Sequence, residues 1–323
     1  MNGILAFVLA VLVYPGLLVA GLAALALGWA RDSARGALAH TGTPHPLQSV
    51  QQVRGVLQRD TIAPEGVYPL ALTLTSTAAV LFPVAALVLL PVPGNPLVQA
   101  LSLQGDLIAE GGLLLGLPLT RLAVGWAIPS PFTRLAADRG ARLLAGAAVP
   151  MILAFTASAE QVATLGLNFP VVKGSLPLIA VVTRILAALA FIFALPVLAR
   201  ASHLRADDDE ELELVAGELT ELSGRDLALF RIGEALQLVA VAAVFVAAFL
   251  LPIFATLPAG TGRGILWIVG LIVTAAGIGL WEGFASRQPA TANDRPPLTW
   301  WVGWPVLVAL LALVAAAWAT RAG

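Results

Sequence analysis

Residues 228–254 read ALFRIGEALQLVAVAAVFVAAFLLPIF, a near-continuous apolar run whose ionisable side chains are Arg231 and Glu234. At 1.5 Å of rise per residue such a run is long enough to cross the roughly 30 Å hydrocarbon core of a bilayer as a helix. The stretch therefore reads as a membrane-spanning helix. Its two charges need a reason to be there.

The rest of the chain agrees. Hydrophobic residues make up 59% of it and charged residues 11%, against roughly 25% charged in an ordinary soluble domain, and the mean hydropathy is +0.90. Runs of this kind recur at about 3–29, 67–92, 104–127, 142–163, 175–199, 228–254, 264–285 and 299–320. The expectation is an all-α, polytopic membrane protein of about eight transmembrane helices, forming a single membrane domain over residues 1–323.

Cation placement orients it. With the N-terminus outside, the cytoplasmic loops hold Arg31, Arg35, Arg54 and Arg59, then Arg134, Arg139 and Arg142, then Arg200, Arg205 and Arg225, then Arg287 and Arg295. The opposite side holds Lys173, Arg263 and Arg321. This is the positive-inside bias, and it implies a multi-pass protein of the inner (cytoplasmic) membrane. No Lys or Arg precedes the first apolar run, which is also too long for a signal h-region, so it reads as a retained helix.

Composition also excludes chemistry. There is no cysteine, so this chain offers no disulfide, thiolate metal site or iron–sulfur ligand. Its three histidines, His40, His45 and His203, lie at no metal-ligand spacing, and no metal is expected. The net charge of −1 argues against nucleic acid. The bilayer is the partner composition itself implies.

Charges at membrane depth are costly unless paired or hydrated, which makes them the default functional candidates. The third span holds Asp106, Glu110 and Arg121, the fifth Arg184, the sixth Arg231 and Glu234, and the seventh ends near Glu282. Asp106 and Glu282 also suit a membrane boundary, and Arg231 and Glu234, three residues apart, suit a structural ion pair. Upstream of the sixth span, DDDEE at 207–211 reads as solvated loop, while Glu213, Glu218 and Glu221 recur as the sequence becomes more apolar. Neighbouring carboxylates share protons, so with Glu234 they form a candidate proton relay. In the first cytoplasmic loop, HPLQSVQQVRGVLQRDTIAPEG (45–66) places Leu47, Val50, Val53 and Leu57 near one side of a helix, opposite Gln51, Arg54 and Gln58. That helix suits the membrane interface, a partner, or simple packing on the adjacent spans.

The stretch ELVAGELTELSGRDLALFRIGE, 213–234, resembles the E-L-V-A-G-(F/Y)-x-(T/V)-E-Y-S-G…A-L-F-x-x-x-E signature of the subunit 1 family of respiratory complex I. The same signature marks its homologues in formate hydrogenlyase (subunit 4) and the energy-converting membrane-bound NiFe hydrogenases. LQSVQQVRGVLQRDTIAP (47–64) is similar to the family's cytoplasmic loop helix, GDLIAEGGLLLGL (105–117) to the start of its third span, and SPFTRLAADRGARL (130–143) to its hydrogenase-type S-P-F loop. The resemblance implies eight spans with the N-terminus outside. It also implies a membrane anchor and coupling subunit, itself non-catalytic, within a hydrogenase-like or formate hydrogenlyase-like oxidoreductase. Such a subunit docks a peripheral arm of iron–sulfur subunits and links electron transfer to proton or sodium translocation through antiporter-like membrane subunits. No cofactor is expected on this chain, with a quinone at the partner interface in the complex I branch. On this resemblance Glu213, Glu218 and Glu221 line the entrance to an acidic path, Glu234 lies deeper, and Arg225 is a pairing candidate, as are Arg231 and Arg139. Arg54, Arg59 and Asp60 are the candidates for docking the arm.

The chain departs from the pattern at defined places. The family's loop-helix Asp and Lys fall near Gln52 and Gly55; the S-R-E of the third loop reads Asp138, Arg139, Gly140, and the following E-P reads Val149, Pro150. Glu110 or Asp138 then supplies the carboxylate, or this member couples differently or not at all. Two other readings are subunit 1 of an NADH–quinone oxidoreductase proper, forming the quinone chamber, and a stand-alone secondary transporter. The transporter reading calls for internal repeats, and the two halves show none.

Overall fold

A computed structural model of the chain describes residues 3–40, 42–61, 66–90, 106–160, 178–199, 219, 221–253, 261–285 and 298–322. Among these residues the regular elements are helices. They are α1 (Gly3–Leu12), α2 (Leu17–Ala39), α3 (Gln48–Leu57), α4 (Pro69–Leu89) and α5 (Leu107–Ala127). Then come α6 (Pro131–Glu160), α7 (Leu178–Leu198), α8 (Gly224–Phe245), α9 (Thr261–Ala285) and α10 (Leu298–Ala322). Seven described segments are long and apolar enough to cross a membrane, with α1 and α2 counting together as Ile4–Leu38, and a shorter apolar stretch, Gly303–Ala319, lies in α10. The all-α polytopic expectation is met.

Two helices extend beyond the apolar stretches that mark their spans. The span set at 142–163 belongs to a helix that begins at Pro131, so the SPF segment read as a loop is the opening turns of α6. Pro131 sits where proline's missing N–H costs nothing, and the Ser130 carbonyl accepts from Arg134 N at 3.2 Å and Thr133 Oγ1 at 3.1 Å. The first span, set at 3–29, breaks between α1 and α2 and then runs on through RDSARGALA to Ala39. In both places hydropathy marks the stretch that suits hydrocarbon, whereas the helix continues through residues that do not.

The bundle is organised around α8. It packs against α2, α3, α4, α5, α7 and α9, and every residue from Leu236 to Phe249 is buried. A helix apolar on all sides belongs at the centre. The outer helices instead expose apolar rows, such as Ile265, Ile268 and Ile272 on α9 and Leu307, Leu311 and Val314 on α10. Past Phe245 the helix widens into a π turn, Val246–Leu250, and ends in Leu251–Ile253. There Phe245 and Phe249 stack with Phe155 of α6 and Phe191 of α7, at ring-centre distances between 5.2 and 6.1 Å.

Candidate functional site

The site is built from the first turns of α8 outward. Gly224 has φ +61°, a conformation that costs an L-residue with a side chain. A Cβ there would stand 2.6 Å from Thr61 Oγ1 and 2.8 Å from the Arg59 carbonyl oxygen. Ser223 Oγ donates to the Asp60 carbonyl at 2.8 Å, and the Arg225 N–H donates to Thr61 Oγ1 at 3.2 Å. The Ser-Gly pair thus clamps the start of α8 to the chain leaving α3. On the other side, Asp226 accepts from Ser76 Oγ of α4 at 2.8 Å, with both residues buried.

One turn deeper are the two charges that opened the question. Arg231 Nη1 and Glu234 Oε2 are 3.4 Å apart, one turn along the same helix. The other oxygen of Glu234 pairs with Arg121 Nη1 of α5. Arg121 is 1% exposed, Glu234 6% and Arg231 36%, so the carboxylate bridges a fully buried cation and one facing open space. A buried ion is tolerated when partners meet it on both sides.

That open space is a cavity of about 820 Å³ between α2, α3 and α8. Its walls include Arg31, Asp32 and Arg35 of α2, Gln52 and Val56 of α3 with Arg59 just beyond it, and Arg231 and Glu234 of α8. The α2 wall is braced from behind. Arg31 Nε lies 2.9 and 3.1 Å from the two oxygens of Glu282, which is fully buried on α9. The approach is possible because Gly279 and Gly283 face α2: a Cβ on Gly279 would lie 2.0 Å from the Arg31 carbonyl oxygen. Small residues four apart are the usual device for close helix contact in a membrane.

The remaining sequence candidates divide by position. Glu110 is 0% exposed, and neither of its carboxyl oxygens has a hydrogen-bond partner. Asp106 caps α5, accepting from the Ile108 N–H at 2.8 Å. Arg54, Arg59, Asp60, Glu221 and Arg225 are exposed, and Arg139 is intermediate. Glu213 and Glu218 lie outside the described residues. Arg231 and Glu234 are brought together, while Asp106, Glu110 and Arg139 lie apart from them. Sequence reasoning noted Arg121 and Glu282 as buried charges without finding their partners, and it passed over Gln237. Among the described residues no group of His, Asp or Glu could hold a metal ion.

The fold is an all-helical membrane bundle whose central helix carries buried charge near its start, with a loop helix beside it and a charged cavity between them. The chain matches the model of the NADH dehydrogenase family, that of complex I subunit 1, over residues 4–319, and it belongs to that family. No match among curated proteins was found. Among solved structures it is similar to a chain of the membrane-bound sulfane sulfur reductase, an archaeal respiratory membrane complex. The TM-score is 0.71 at 20% identity, covering 98% of this chain and 100% of that one. At that identity the likeness is one of fold.

Proposed function

We propose that the chain is the membrane anchor and coupling subunit of a complex I-related respiratory oxidoreductase. It sits N-terminus outside in the cytoplasmic membrane, beside antiporter-like membrane subunits. On this reading it docks a peripheral iron–sulfur arm through the exposed Arg54, Arg59 and Asp60 and links electron transfer on its partners to proton or sodium movement. The observation that carries the reading is continuity: α3 is clamped to the start of α8, and the cavity they share is walled by Glu234, whose other oxygen reaches Arg121 inside the bundle. A partner's movement at α3 therefore has a short physical route to a buried charge. Family membership and a fold shared with a respiratory complex subunit support it, and the SPF segment favours the hydrogenase and formate hydrogenlyase branch.

The test is purification of the tagged full chain from its native membrane. Co-isolation with an iron–sulfur subunit and an antiporter-like subunit is the expected result. A stable monomer that moves a solute in liposomes ends the proposal in favour of a transporter. A second reading, a quinone chamber, is favoured by the cavity volume of about 820 Å³, within the range that holds a drug-sized ligand. A photoreactive quinone that labels residues 48–61 or 231–238 supports it, and labelling confined to partner subunits rejects it.

A further inference from the structure

We propose that Glu110 and Gln237 form a buried, water-holding proton site between α5 and α8, in which Gln237 is the positioning residue joining Glu110 to the Arg121–Glu234 pair. The proposal rests on the coupling role above and names the groups that serve it.

Two contacts order these groups along the bundle. Glu234 of α8 meets Arg121 of α5, and three residues later Gln237 Nε2 donates to the Leu114 carbonyl of α5 at 2.7 Å. As α8 advances from Glu234 to Gln237, α5 retreats from Arg121 to Leu114, so the helices run antiparallel. Glu110 lies one further turn along in the same direction, about 6 Å of rise beyond Leu114 on the same face of α5. The sequence of groups is then Arg231, Glu234 with Arg121, Gln237, and Glu110.

Hydrogen-bond accounting says what this order is for. Gln237 is fully buried and its amide orientation is determined, because only the Nε2 end can donate to a carbonyl. Its Oε1 is left without a partner, and so are both oxygens of Glu110. Buried polar atoms in native proteins are satisfied by protein or by ordered water. Gln237 Oε1 on α8 and the two Glu110 oxygens one turn from Leu114 on α5 give three acceptor positions for a short chain of water, which needs two to four polar partners per molecule. An unpaired carboxylate anion there would bear the full cost of burying a charge, so Glu110 is held as the neutral acid and supplies a donor to the chain.

The other buried carboxylates differ from it. Glu282 is clasped by Arg31, Asp226 accepts from Ser76, and Glu234 lies between two arginines. Among the described residues, Glu110 is the buried acid that neither a cation nor a donor holds in its ionised form. A proton arriving through the water chain takes the place of the one it releases, and the group returns to its starting state.

Infrared difference spectra of the intact complex in H₂O and D₂O test this. Glu110→Gln should delete one deuterium-sensitive band of a neutral carboxyl group. Gln237→Met, close in volume, should shift that band, slow its exchange, and lower ion translocation several-fold. If Gln237→Met does not assemble, Gln237→Asn is read in the same way. A band that survives Glu110→Gln overturns the proposal, and so does a band whose position and exchange are unchanged when Gln237 is replaced. The band does not depend on pumping, so a wild-type complex that moves no ion defeats the coupling role while the buried site is judged on its spectrum alone.

Discussion

Arg121 and Glu234 form an ion pair between the third and sixth spans, with Arg121 1% and Glu234 6% exposed. The pair ties α5 to the central helix, and Arg231 closes on the remaining carboxylate oxygen at 3.4 Å. Glu234 is thus the carboxylate to which both arginines are tied. Removing Glu234 is therefore worse than removing Arg231, which is partly open to the cavity.

Arg121→Leu is expected to destabilise the chain by about 3–5 kcal/mol, the range for breaking a buried pair by deleting one partner. Arg231→Leu is expected to cost under about 1 kcal/mol, as for a pair with an exposed member. Thermal unfolding of the detergent-solubilised protein should rank the variants in that order. Equal shifts would mean that Arg231 anchors the carboxylate as firmly as Arg121 does.

Most of this architecture is legible in the sequence, and the part that is not has a physical reason. Apolar runs place the spans because hydrocarbon tolerates little else. The Arg231–Glu234 pair could be anticipated because three residues on a helix return to one face. Arg121 with Glu234, and Arg31 with Glu282, join residues far apart in the chain, and which spans adjoin depends on packing that hydropathy does not encode. The small-residue spacing at Gly279 and Gly283 was the available signal for the second pair. The acidic residues Glu213 and Glu218 remain tied to the family resemblance, since they lie outside the described residues.

Gly224 provides a local test of the clamp between α3 and α8. Gly224→Ala adds a methyl group to a backbone at φ +61° and sets it against Thr61 and the Arg59 carbonyl. Strain of this kind costs on the order of 1–3 kcal/mol. Ser223→Ala removes one hydrogen bond to Asp60, worth about 1 kcal/mol. Hydrogen exchange over residues 48–61 should rise in both variants and more in Gly224→Ala; protection equal to wild type would show that the clamp is not needed to hold α3.

The α2–α9 contact can be probed with its own control. Gly279→Ala places a Cβ 2.0 Å from the Arg31 carbonyl, whereas a Cβ on Gly277 of the same helix meets nothing within 4 Å. Overpacking costs about 1–3 kcal/mol, and an unhindered Gly→Ala change in a helix gains up to about 1 kcal/mol. Melting temperatures should therefore move in opposite directions. A parallel shift would place the two helices further apart than the structure does.

The coupling role is tested most directly at Glu234. Glu234→Gln keeps the shape of the side chain and removes the charge that Arg121 and Arg231 share. Both arginines then face a neutral amide in place of the carboxylate. Assembly with partner subunits should survive, since the docking candidates Arg54, Arg59 and Asp60 are exposed and lie on or just after α3 rather than on α8. Ion translocation per electron transferred should fall several-fold, while electron transfer itself, carried by partner chains, continues. Glu221→Gln, at an exposed position, should have the smaller effect of the two. Measuring both rates in proteoliposomes separates the cases: unchanged translocation in Glu234→Gln removes this carboxylate from the path, and loss of the partner subunits would make it a structural tie instead.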